Sequence, residues 1–245
     1  MSLPPNKYDD SSSNKKIHGN VIDTTPYRNV LLDILKGILQ AYSKMLEPSY
    51  SSLPPNNEDF ITAKLHDDFL DNDNFTKQFN LNDYTFELEP ASTKDYIQIG
   101  YNDIKVRVNN RLEGFESRKS AYIIECKRLD GKQAKEHHTK TLNRKYLEDG
   151  LQRFVDEIYI EKYIHKQSAM IGYVVSPFDI HQNVTHINEL VNSMSSLKTT
   201  QNLTSLKIDK SFEYAYHSKH KSIYNNDLDI YHLMLDFSSK ITNNK

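Results

Sequence analysis

The chain is predicted to be an α/β protein with a mixed central sheet flanked by helices. Three observations lead there. Apolar residues near the N-terminus recur at helical spacing; the middle of the chain switches to strand-like alternation; and two short apolar runs, at 121–126 and 169–175, bracket a long helical stretch. Periods of 3.6 and 2 distinguish a helix with one buried stripe from a strand with one buried face, and short continuous apolar runs suit strands covered on both faces.

Over residues 27–47 the apolar positions are Tyr27, Val30, Leu31, Ile34, Leu35, Ile38, Leu39, Tyr42, Met45 and Leu46, a wide amphipathic stripe. Pro26 suits its first turn and Pro48 ends it. Such a stripe reads either as a core helix or as a face for a dimer or another partner. A second helix is expected from about Glu58 to Leu70, closed by the Asp-Asn stretch at 71–74. Strands are expected at 84–88 and 96–101. A third follows where Ile104, Val106 and Val108 alternate with Lys105 and Arg107, and a fourth at 121–126. Residues 132–165 then read as helix with a break near Gly150. After the apolar run at 169–175, a helix is expected at 180–197 and closing strands at 212–216 and 230–237.

With 245 residues, roughly 150 per domain allows one large domain or a core with an extension. The expected division is a flexible N-terminal arm over 1–25, a helix and linker over 26–57, and a main domain over 58–245. No apolar run approaches the ~18–20 residues that span a bilayer, so no membrane association is expected. Residues 1–20 carry no apolar segment of the kind a signal peptide needs. The single cysteine, Cys126, excludes an intramolecular disulfide and fits a reducing cytoplasm. Seven glycines supply no Gly-rich phosphate loop.

The residues that suggest chemistry are Glu125 and Lys127. Positions i and i+2 of a strand share a face, so a carboxylate and an ammonium emerge together where the most apolar strand leaves the core. Asp103 begins an earlier strand. If the two strands pair as a hairpin, Asp103 approaches Glu125. Two carboxylates are hard oxygen ligands for Mg²⁺ or Mn²⁺, which polarises a phosphodiester, and a lysine beside them can orient or deprotonate water. That set reads as a metal-dependent phosphodiesterase. The plain alternative is a solvated strand end with Asp103 in a turn. The rival triplet Asp103-Ile-Lys105 lies on an earlier, more exposed strand.

Asn-Asp103-Ile-Lys-Val, Ala-Tyr-Ile-Ile-Glu125-Cys-Lys127-Arg-Leu, Tyr146-Leu-Glu-Asp-Gly150-Leu-Gln-Arg153-Phe and Met170-Ile-Gly-Tyr-Val together resemble the PD-(D/E)XK, or restriction-endonuclease-like, nuclease superfamily. They are similar in particular to nucleases of bacterial anti-phage defence. The resemblance covers about 58–175 and makes 58–245 a nuclease domain with a C-terminal extension. It implies an αβββαβ core and metal-dependent hydrolysis of nucleic acid, with DNA favoured over RNA. It also implies Asp103, Glu125 and the Cys126 backbone carbonyl as metal ligands, Lys127 as the catalytic lysine, and Glu58 as an added acidic ligand. The residue before Asp103 is Asn102, where the family often has Pro.

Arg128, Lys132, Gln152 and Arg153 are the candidate nucleic-acid contacts. Arg153 suits a bidentate phosphate contact, or else a helix-surface salt bridge to Asp149, Asp156 or Glu157. His137-His138 diverge on a helix and share no metal readily. The formal net charge is −2, but residues 105–145 hold 12 Lys+Arg against 5 Asp+Glu, net +7, while residues 1–100 are net −6. A basic segment around the carboxylates suits a polyanionic substrate. Two other readings compete with an active nuclease. One is a catalytically silent scaffold that uses the same fold to bind a protein such as a helicase or ATPase. The other is a nuclease active only with such a partner.

Overall fold

A computed structural model describes residues 25–54, 57–89, 103–109, 121–131, 141–158 and 166–242. Seven strands form one mixed sheet: β1 (Tyr84–Glu89), β2 (Asp103–Val108), β3 (Ala121–Leu129), β4 (Gln167–Val174), β5 (Thr199–Ser205), β6 (Ala215–Lys221) and β7 (Asp227–Asp236), in spatial order β1-β2-β3-β4-β7-β6-β5. The centre, β3-β4-β7, is parallel; β1-β2-β3 and β7-β6-β5 are antiparallel. Every residue of β4 is buried, and so is all of β3 except Arg128. Central parallel strands are covered on both faces, so their sequences lack polar alternation.

Helices supply the two covers. α1 (Thr25–Met45) buries Leu31, Ile34, Leu35, Ile38 and Met45 completely in a core that includes Tyr122, Ile124 and Cys126 of β3. Each such side chain contributes about 1.5–3 kcal/mol of hydrophobic stabilisation. α2 (Glu58–Leu65) runs into a π-helical turn, His66–Leu70, and joins the same core. On the opposite face, Ile123 and Leu129 of β3 pack with α4 (Leu142–Lys145), the π-helical turn Tyr146–Leu151, α5 (Gln152–Val155) and α6 (Ile180–Ser193). Cys126 is buried under α1, facing inward as a small core residue.

Several expectations are revised. The helix at 58–70 is followed by another, α3 (Asp73–Gln78), because Asn72 accepts hydrogen bonds from the Asn74 and Phe75 amides and starts a helix there. The helical stretch around Gly150 widens into the π-helical turn rather than breaking. It ends at Val155: Glu157 is left-handed (φ 55°), the Ile158 amide donates to Arg153 and the Glu157 amide to Phe154, the two hydrogen bonds of a Schellman stop. Strand β5 was not expected, and the strand expected at 212–216 is β6, beginning at Ala215. The expected arm up to residue 24, the strand at 96–101, Lys132 and His137-His138 lie outside the described residues. Among the described residues no helix is long and apolar enough to cross a membrane.

A buried polar chain ties the π-helical turn to the far half of the sheet. The Tyr146 hydroxyl lies 2.7 Å from His232 Nδ1, His232 Nε2 lies 2.8 Å from Ser218 Oγ, Ser218 Oγ lies 2.8 Å from His220 Nε2, and His220 Nδ1 lies 3.0 Å from the Leu197 carbonyl. Thr199 Oγ1 also lies 3.1 Å from His220 Nδ1. Burial keeps both rings neutral. With His220 Nδ1–H donated to the carbonyl, neutral rings run the chain one way: His220 Nε2 accepts the Ser218 hydroxyl, Ser218 accepts His232 Nε2–H, and His232 accepts Tyr146. Burial lowers His220 to about 4 and His232 well below the ordinary histidine value. Since the unfolded chain takes up protons first, at about 6.5, stability is intact above pH 6.5 and declines as pH falls toward the folded values. The expected loss between pH 7 and pH 5 is about 2 kcal/mol per histidine, read by urea unfolding at the two pH values. A His220→Gln chain should show a shallower decline; an unchanged decline would sink the assignment.

Candidate active site

The site forms in the carboxyl-terminal half of β3, where the N-terminus of α2 and the π-helical turn with α5 converge; the strand expected to end at 126 runs on to Leu129, so Glu125 stands at its midpoint and not at its end. Glu125 and Lys127 share one face of β3, as their i, i+2 spacing requires. Glu125 is fully buried and Lys127 is 6 % exposed. β2 pairs antiparallel with β3, and the register sets Asp103 directly opposite Glu125. The expected pairing of these two strands is therefore present, although their connection lies outside the described residues. Lys105 stands opposite Ile123, farther from the strand end.

Glu58 comes from the first turn of α2. The Asn57 side chain caps that helix by accepting the Phe60 amide at 2.9 Å, which fixes the direction in which Glu58 leaves it. Glu58 Oε2 accepts the Arg128 backbone amide at 2.7 Å, tying the helix to the end of β3. Burial raises the Glu58 carboxyl above the usual range, opposed by the Lys127 ammonium and the hydrogen bonds it accepts.

The centre of the arrangement is the Lys127 ammonium. It lies 2.5 Å from Glu125 Oε1, 2.8 Å from the Cys126 carbonyl oxygen and 3.4 Å from Glu58 Oε1. Three oxygens from β3 and α2 thus converge on one positive charge. From α5, Arg153 adds a second: its Nη1 lies 3.0 and 3.4 Å from the two oxygens of Glu125. This contact across the sheet face is one that neither expected role of Arg153, a phosphate-binding head or a bridge to helix neighbours, included. Gln152 turns elsewhere, donating to Asp156 at 2.8 Å and accepting from Ser196 at 2.8 Å.

Glu58, Lys127, Arg128, Gln152 and Arg153 all line one cleft of about 550 Å³. Asp59, Glu148 and Asp149, which the sequence did not single out, line it as well. Gly150 was read only as a helix break. Its backbone comes so close to β3 that a Cβ would lie 2.5 Å from Met170 Cε, 3.5 Å from Lys127 Cγ and 3.6 Å from Glu125 Cγ. A glycine inside a helical pattern is the signal that could have marked this approach, and π-helical turns concentrate at functional sites.

Compared with known protein families, curated proteins and solved structures, the chain shows no significant match. Its chemistry must therefore be read from the side chains. Among the described residues no three Asp, Glu, His or Cys side chains form a metal cage. What they do form is two carboxylates and a carbonyl around a single cation, hard oxygen donors of the kind that Mg²⁺ takes when waters and substrate complete its shell. The donor set fits such an ion.

Two stability predictions follow from the packing. Lys127→Met leaves buried carboxylates without their shared counter-ion and should cost about 3–5 kcal/mol, whereas Glu58→Gln, which keeps an acceptor for the Arg128 amide, should cost less than about 1 kcal/mol. Equal losses in chemical denaturation would refute the central place given to the ammonium. Gly150→Val should cost about 1–3 kcal/mol by overpacking against Met170 and Lys127, while Gly150→Ala needs only the tip of Met170 to move and should be near neutral. Thermal melts of the two variants check the difference.

Proposed function

We propose that the chain is a metal-dependent nuclease of the PD-(D/E)XK kind, hydrolysing phosphodiester bonds of nucleic acid, DNA in the first instance, as an effector of bacterial phage defence or restriction in the cytoplasm. The observation that carries this reading is the convergence of Glu58, Glu125 and the Cys126 carbonyl on the Lys127 ammonium, in the carboxyl-terminal half of a buried strand and with Asp103 opposite Glu125 in register. The element order supports it: α2, antiparallel β1-β2-β3, the α4–α5 helix and β4 parallel to β3 correspond to an αβββαβ core.

In this reading Asp103, Glu125, the Cys126 carbonyl and Glu58 would hold Mg²⁺ or Mn²⁺, which when bound polarises the scissile phosphodiester. Lys127, 6 % exposed, stands among those oxygens, where its ammonium is positioned to orient the attacking water by donating a hydrogen bond and to offset negative charge growing at phosphorus. Glu125 keeps that lysine in place from the same strand face. Arg128 and Arg153 at the cleft supply positive charge for the polynucleotide backbone.

Purified protein incubated with plasmid and Mg²⁺ tests the reading. The parent should cut, and Lys127→Ala and Glu125→Gln should each cut at least about 100-fold more slowly, the loss expected for an acid–base group. Circular dichroism of each variant verifies folding. Variants that fold and cut like the parent would exclude these roles. A parent that binds neither Mg²⁺ nor Mn²⁺ and cuts nothing would favour the silent scaffold.

A further inference from the structure

We propose that Arg153 is an electrostatic latch on Glu125: it neutralises the carboxylate in the resting chain and leaves it for a backbone phosphate of the incoming polynucleotide, so that metal and nucleic acid bind cooperatively. The inference rests on the nuclease reading of the site and concerns its regulation.

Glu125 has no exposure to solvent and two cations in contact, the Lys127 ammonium and the Arg153 guanidinium. A buried carboxylate needs such compensation. A divalent ion brought to the same carboxylate would place a third positive centre in one small, poorly hydrated volume, so part of the resident charge must withdraw. The two cations differ in freedom to do so. Lys127 has a 7 % exposed side chain and is held by Glu125, Glu58 and the Cys126 carbonyl at once. Arg153 has a 37 % exposed side chain and lines the cleft. Its stem stands on α5 one turn before the Schellman stop, on backbone that need not move when the head swings.

A planar guanidinium suits the exchange because it pairs with carboxylate and phosphate through the same forked geometry. A phosphate entering the cleft offers Arg153 an equivalent partner and removes it from Glu125, leaving that carboxylate for the metal. By thermodynamic reciprocity, metal bound first releases Arg153 for phosphate. Asp149 and Asp156 line the same cleft near Arg153, and Asp156 already accepts from Gln152.

Isothermal titration of Mg²⁺ without nucleic acid, on the full chain, tests the latch in the parent, Arg153→Ala and Arg153→Lys. Arg153→Ala should bind Mg²⁺ at least about fivefold more tightly than the parent, the low end of typical site–site coupling, with Arg153→Lys close to the parent. In EDTA, the same Arg153→Ala chain should bind a short DNA duplex more weakly. Opposite shifts in the two affinities are not produced by a merely structural arginine. If Arg153→Ala does not fold, Arg153→Gln keeps a hydrogen-bond donor for Glu125 and removes the charge, and the same tightening is expected. Mg²⁺ affinity unchanged or weakened in a parent that cuts DNA overturns the latch and leaves the nuclease reading standing. Absence of Mg²⁺ binding in every chain overturns both.

Discussion

The burial of the Glu125 carboxylate is the constraint on which the arrangement depends. A fully buried carboxylate in the middle of an apolar strand is tolerated only if positive charge reaches it from elsewhere. β3 supplies one cation, Lys127, two residues along on the same face. The other, Arg153, must come from the helix that covers that face. For Arg153 to arrive, α5 has to lie close to β3; for α5 to lie close, the turn before it must bring backbone almost onto Glu125. Glycine at 150 and the wide turn at Tyr146–Leu151 meet that requirement together.

The remaining elements hold this geometry from both sides. On one face α1 is anchored by six completely buried side chains, Ala41 among them. α2 rides on the same core, and its capped first turn delivers Glu58 to the β3 end. On the other face the Tyr146–His232–Ser218–His220 chain fixes the π-helical turn to β7 and β6. Because burial keeps both rings neutral, it acts as a rigid strut rather than a charge reservoir. The position of Arg153 is thus set by contacts extending across four strands of the sheet.

The sequence was most legible where one physical signal dominated. The apolar runs of β3 and β4 marked buried central strands because strands covered on both faces are filled mainly by apolar side chains. The i, i+2 spacing of Glu125 and Lys127 was enough to set them side by side. It failed where signals conflicted. β5, Thr-Thr-Gln-Asn-Leu-Thr-Ser, is a half-exposed edge strand with shifted register against β6, so it carries no apolar alternation. The Asp-Asn stretch at 71–74 has the composition of a terminator and also of a helix start; the side chain of Asn72 settles it as a start. The protein partners that spacing offers Arg153 are neighbours three or four residues away on its helix, whereas Glu125, which it contacts, lies 28 residues back on another element. Such contacts depend on which face of the sheet a helix covers, and local spacing does not encode that.

The same physics explains why a net charge of −2 says little about this chain. Charges act where they are desolvated. An exposed ion pair such as Lys36–Asp33 contributes little to stability, whereas two cations held on a carboxylate with no exposure are a standing cost that the rest of the core offsets. Apolar residues of similar volume at positions 125, 127 and 153 would make a more stable protein. A fold that instead keeps an acid, a lysine and an arginine at the mouth of a cleft gives up stability at one place. On the nuclease reading, the compensation is a set of oxygens and cations preorganised for a doubly charged ion and an anionic substrate, a set that water alone would have left dispersed.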